Sequence, residues 1–229
     1  MGWVSKITSS PTLVRVVPFA IFVGLTSLQG RLGENSQYWF YFAKTIVGAA
    51  MLFVIWRHVA ELEWRFSWAA VVVGVAVFVL WVGLDELIAR LGLPPYPKLK
   101  IAGGPWNPNE AFGAGSPLAL LFIIARIAGS TLVVPPMEEL FYRSFVYRFV
   151  AGKDFMSVSL GKFLAVPFIV TAVLFGLAHR EWLAGILCAF AYQGLVIWKN
   201  RLGDAITAHA ITNFLLGLWV VWRSAWEFW

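Results

Sequence analysis

The stretch SWAAVVVGVAVFVLWVGL, Ser67–Leu84, runs for eighteen residues without a charge. A helix needs about 20 mostly apolar residues to cross the roughly 30 Å hydrocarbon core of a bilayer. The stretch shows none of the apolar–polar alternation of a half-buried strand, so a β-barrel reading fails here. Similar segments lie on both sides of it. Spans are expected near Thr12–Gln29, Tyr38–Arg57, Ser67–Leu84, Pro117–Val134, Phe163–Leu177, Trp182–Trp198 and Asp204–Trp222. Tyr38, Trp39, Trp182, Trp198 and Trp222 sit at their ends, where amphipathic rings anchor a helix at the interface. Composition agrees: 60% of the chain is hydrophobic and only 13% is charged. Soluble domains are closer to about 45–50% apolar and 25% charged. The expected fold is all-α, a polytopic helical membrane bundle of seven or eight transmembrane helices forming one domain over residues 1–229.

The remaining features fit that frame. Gly92–Ser116, rich in Pro and Gly, is expected to be a loop, either folded onto the membrane face or a plain connector. The single cysteine, Cys188, excludes a disulfide framework. Lys6 precedes an apolar run longer than a signal-peptide core and without a small-x-small cleavage site, so a retained helix is expected. A net charge of +6 fits basic loops facing the cytoplasm better than nucleic-acid binding. An N-terminus inside puts Lys6, Arg57, Arg65, Arg143, Arg148, Lys153, Lys162, Lys199 and Arg201 on the cytoplasmic side, with the larger share of the basic residues.

Charge inside such a chain is costly, at least about 2.5–3.5 kcal/mol per group at the bilayer centre, so ionisable residues in spans turn inward and mark function. Three places stand out. In VVPPMEELFYRSFVYRF, Val133–Phe149, Glu139 and Arg143 are four residues apart and share a helix face, whereas Glu138 points about 100° away. The pairing holds Glu139 and leaves Glu138 for chemistry. Pro135-Pro136 is expected to break or kink the backbone just before them. This stretch either extends the fourth span or forms an eighth helix. His179 ends AVLFGLAH, four residues after Phe175, and His209 shares a face with Asn213 in AITAHAITNF. His58, in a polar linker, reads as a solvated loop residue. Taken singly, each place has a structural reading: an ion pair, an interhelical histidine bond, or a polar contact gluing two helices.

Together the three resemble the signature of the CPBP family of intramembrane proteases, which includes Rce1-like CAAX prenyl endopeptidases and bacterial relatives linked to bacteriocin self-immunity. Its motifs, E-E-x-x-x-R, F-x-x-x-H and H-x-x-x-N, are met by Glu138-Glu139-x-x-x-Arg143, Phe175-x-x-x-His179 and His209-x-x-x-Asn213. The resemblance covers residues 118–218, a family-like catalytic core. Within the family, size and layout are similar to the bacterial branch that accompanies exosortase sorting systems.

The resemblance implies an intramembrane endopeptidase in the cytoplasmic membrane of a bacterium, acting on a membrane-associated or lipidated protein. Glu138 would activate water, His179 would assist, and His209 with Asn213 would bind the oxyanion. Glu139, Arg143 and Phe175 would support them. Metal-independent catalysis is favoured, since no H-E-x-x-H occurs; the alternative is zinc on Glu138, His179 and His209. The partners implied are the bilayer, a peptide or protein substrate and sorting-system components. A non-enzymatic immunity or sorting scaffold is the competing class. A proton-coupled transporter is weakened by the short chain and the lack of repeat halves. Hydropathy with an N-inside topology puts Glu138 and His209 at one membrane side and His179 at the other. The chemistry nevertheless requires them to converge.

Overall fold

The computed structural model describes residues 2–100 and 106–229, leaving out the side chain of Trp3. Residues 101–105 of the expected loop lie outside the described residues. The helices are α1 Trp3–Ser9, α2 Leu13–Ser27, α3 Ser36–Ile55, α4 Trp68–Arg90, α5 Pro108–Phe112, α6 Pro117–Ala151, α7 Ala165–Leu177, α8 Trp182–Lys199 and α9 Gly203–Arg223. No strand occurs among the described residues. Five helices, α3, α4, α6, α8 and α9, are long and apolar enough to cross a membrane, and α2 and α7 are shorter apolar helices. These are the seven segments expected from hydropathy. Outward faces carry large apolar side chains, Phe53 81% and Trp68 84% exposed, a pattern suited to lipid and not to water. The protein is an integral membrane protein of all-α class.

The Val133–Phe149 stretch extends the fourth span and forms no separate helix. The prolines do not break it. Pro135 and Pro136 lie within α6, preceded by a wide π turn at Gly129–Val133 and followed by another at Leu140–Val146. In the first of these, the Val134 amide donates to the Gly129 carbonyl, five residues back. A proline removes a donor and crowds the carbonyl four residues back. Widening the turn just before the pair gives the backbone another way to bond, and the helix continues.

The chain packs as two compact units. The first comprises Met1–Ala60, Gly103–Glu138 and Asn213–Trp229. In it α3 runs alongside α6 at small residues. A Cβ on Gly129 would come within 2.7 Å of Thr45, and one on Gly48 within 2.8 Å of Val133. Tyr38, Tyr41, Trp106 and Phe122 form its aromatic core.

The second unit comprises Glu61–Ala102 and Glu139–Thr212. Ser67 caps α4, accepting from the Ala70 amide, and its hydroxyl donates to Asp204 at 2.5 Å near the start of α9. Glu61 accepts from Ser144 and Arg148, both at 2.7 Å, and so anchors the end of α6. Helices α7 and α8 cross where Gly176 meets Gly185, as small residues permit in membranes. A Cβ on Gly176 would lie 2.4 Å from Ile186 and 2.6 Å from the Trp182 carbonyl. Gly176→Ala is therefore expected to destabilise the protein by about 1–3 kcal/mol. Thermal unfolding in detergent measures this, and an unchanged Tm would contradict so close a crossing.

Candidate active site

Glu139, Arg143, Phe175, His179 and His209 all belong to the second unit, where one aromatic ring connects them. Glu139 and Arg143 are fully buried, and Arg143 Nε stands 3.2 Å from Glu139 Oε2, the pair expected from their spacing. This is an ion contact without the alignment of a hydrogen bond, and Arg143 Nη1 and Nη2 find no hydrogen-bond partner among the described residues. The guanidinium instead faces the Phe175 ring at 4.7 Å. A desolvated cation over an aromatic face gains about 2 kcal/mol or more. Phe175 thus helps to hold the charge that holds Glu139.

The other oxygen of Glu139 meets His209 Nδ1 at 2.9 Å. A carboxylate oxygen accepts, so Nδ1 carries the proton and Nε2 is the opposite pole of the ring. Tyr192 stacks on His209 at 5.1 Å and 25°. Its hydroxyl donates to Thr212 at 2.7 Å, and Thr212 donates to the Gly74 carbonyl at 2.8 Å. Three helices thereby fix one imidazole. Sequence reading passed over Tyr192; the one available signal was a phenol in an apolar helix, whose hydroxyl needs a partner.

His179 follows the end of α7, and its Nδ1 lies 2.7 Å from the Phe175 carbonyl. A carbonyl only accepts, so the neutral ring carries its proton on Nδ1 and its lone pair on Nε2. The ring packs on Phe175 at 4.6 Å and edge-on to Trp81 at 5.5 Å. His209 approaches the same Phe175 ring at 6.2 Å. The two histidines, which hydropathy assigned to opposite membrane sides, therefore come together. Helix α7 has 13 residues, about 20 Å, against a core of about 30 Å, so its end does not reach the far side.

The segment at residues 96–99 straps the turn that carries His179. Tyr96 donates to Glu181 at 2.7 Å, Trp182 Nε1 donates to the Pro97 carbonyl at 2.8 Å, and the Leu99 amide donates to the Arg180 carbonyl at 3.1 Å. Lys98 pairs with Glu181 and, at 2.7 Å, with Asp85. Burial opposes its charge, but hydrogen bonds to Asp85, Glu181 and Tyr96 outweigh that and raise its pKa above the ordinary lysine value. Burial is also the main cause that pushes the Tyr96 hydroxyl up to about 12. Lys98 keeps its charge throughout the neutral range. His58, expected in solvent, is exposed.

Glu138 and Asn213 belong to the first unit and are half-buried. Asn213 Nδ2 donates to the Ser130 carbonyl at 2.8 Å, which uses one of its two amide hydrogens. No three His, Cys, Asp or Glu side chains group as metal ligands among the described residues.

Fold and site define a polytopic helical membrane protein in which acidic and imidazole groups are gathered inside the helices. Residues 116–215 match the family of Rce1-like type II CAAX prenyl endopeptidases. All three motifs, from Glu138 to Asn213, fall within the matched residues. Comparison with curated proteins and with solved structures gave no match.

Proposed function

We propose that the protein is an intramembrane endopeptidase that hydrolyses a peptide bond of a membrane-associated or lipidated protein. The observation that carries this reading is the family match over 116–215, with every motif position filled. In the reaction, Glu138 takes a proton from water as the water oxygen attacks the scissile carbonyl carbon. His179, through Nε2, shares that activation. The C–N bond then breaks, and the proton passes to the leaving nitrogen. The second amide hydrogen of Asn213 and the Nε2 edge of His209, four residues apart on α9, polarise the carbonyl oxygen. With Nδ1–H given to Glu139, His209 donates from Nε2 only in its imidazolium form. Glu139 and Arg143 orient the imidazole and take no part in bond making.

Positive residues and aromatic anchors support the cytoplasmic membrane of a bacterium, N-terminus inside, and the exosortase-associated likeness supports sorting-system partners. The test compares membrane peptides from cells carrying the wild-type chain and Glu138→Ala. Peptides shortened only in wild-type cells are expected, and identical profiles would refute proteolysis. Metal analysis of the purified protein is expected to give well under one zinc per chain. Stoichiometric zinc that disappears in His179→Ala or His209→Ala would instead make these residues ligands.

A further inference from the structure

Helix α7 ends at Leu177 and α8 begins at Trp182, so His179 lies in the turn between them and no helix carries it. Its ring stands edge-on to Trp81 of α4 at 5.5 Å. Asp85 lies one turn beyond Trp81 on the same face of α4, and Glu181 lies two residues beyond His179. The contact between imidazole and indole is thus flanked by a carboxylate on each element. Two like charges so placed repel, the more strongly where little water surrounds them. By themselves they would drive the turn away from α4.

Lys98 reverses that sign. Its Nζ pairs with Asp85 at 2.7 Å and with Glu181, and it rests over the Tyr96 ring at 3.7 Å. The same Tyr96 ring meets Trp182 edge-on at 5.7 Å, so the ammonium sits on a wall that belongs to the turn and to α8. The main chain of the strap is held separately, by the Leu99 amide on the Arg180 carbonyl and by Trp182 Nε1 on the Pro97 carbonyl. Those two bonds set where the strap runs, and they do not need the ammonium. The bond from Nδ1 to the Phe175 carbonyl is also local, and fixes the imidazole relative to its own turn. What the two ion pairs add is the place of that turn against α4.

We infer that Lys98 is a positioning residue for His179: by pairing with Asp85 and Glu181 together it draws the turn onto α4 and so sets where Nε2 stands. The effect on rate rests on the proteolytic reading above, whereas the effect on the ring does not. A hydrophobic side chain at 98 would leave the strap's backbone bonds in place and restore the repulsion between the two carboxylates.

Imidazole NMR of the full-length chain in detergent gives the first arm of the test, since the chain has 3 histidines and His179→Asn assigns the signal. Packed on Phe175 and edge-on to Trp81, the His179 ring protons carry ring-current shifts that those of the exposed His58 lack. Lys98→Met is expected to move them toward the His58 position while His209 stays in place, and Lys98→Arg to hold them. Asp85→Asn/Lys98→Met, which removes the repulsion, should bring them part of the way back. Initial rates on a fluorogenic peptide give the second arm. Lys98→Met should lower kcat by about ten- to a hundredfold, the cost of moving a reacting group by on the order of 1 Å, with KM little changed. Lys98→Arg and the double variant should both recover rate. An unmoved His179 signal in Lys98→Met overturns the inference. Movement of all three histidines, which marks a general loss of fold, overturns it too, as does a double variant no better than Lys98→Met, which marks packing without charge. The NMR arm is read without substrate, so a wild-type chain that cleaves nothing would count against proteolysis alone.

Discussion

Replacing Glu138 by alanine is expected to lower kcat/KM for peptide cleavage by on the order of 10²–10⁴-fold, the usual contribution of a positioned base. Water must lose a proton as it attacks, and without the carboxylate that proton has no acceptor in an apolar interior. The base acts on the transition state more than on bound substrate, so kcat should fall with kcat/KM while KM stays near its original value. His179→Ala should act in the same direction, because Nδ1 is held by the Phe175 carbonyl and the ring's basic nitrogen is Nε2. The experiment follows initial rates on a fluorogenic peptide in reconstituted membranes, with a Tm for each variant. Wild-type rates in a folded Glu138→Ala protein would remove Glu138 from the mechanism. Crosslinking of cysteines placed at 138 and 179 provides a separate check that the two share one substrate.

The largest expected loss of stability follows Arg143→Met. Removing one partner of a buried ion pair leaves the other charge unpaired and costs about 3–5 kcal/mol. Here the stranded group is Glu139, completely buried, with His209 as its remaining partner. The double variant Glu139→Gln/Arg143→Met removes both charges and should be more stable than Arg143→Met alone. It should nevertheless lose activity, since His209 no longer meets a carboxylate at Nδ1. Thermal unfolding in detergent gives the order of the variants. A double variant less stable than the single one would show that Arg143 acts by packing and not by charge.

Much of this protein is legible in its sequence. The hydropathic runs mark seven apolar helices, with Ser67–Leu84 starting at the cap of Trp68–Arg90 and Trp182–Trp198 matching Trp182–Lys199 nearly residue for residue. Lipid on the outside leaves no alternative to apolar helices, so composition alone determines class and element type. The four-residue spacing likewise predicts the Glu139–Arg143 contact, because a single helix fixes that geometry. The course of α6 was harder to read. Two prolines predict a break, but only neighbouring packing and wide turns decide whether the freed backbone groups find partners.

Contacts between helices distant in the chain lie beyond such spacing rules. Lys44 reads as a lone charge inside a span until α2 and α6 bring Thr26, Phe22 and Arg126 to it. Tyr192 has no visible connection with His209 until α8 stacks one ring on the other. The histidines join for a similar reason, since Phe175 lies in the last turn of the short α7 and α9 passes the same ring. By itself, then, the sequence determined a helical membrane chain, its spans and the residues that could do chemistry, because these follow from solvent and helical period. Tertiary structure alone decided which of those residues meet. Side-chain packing across helices depends on small-residue crossings and on where each helix stops, and neither is encoded within a single segment.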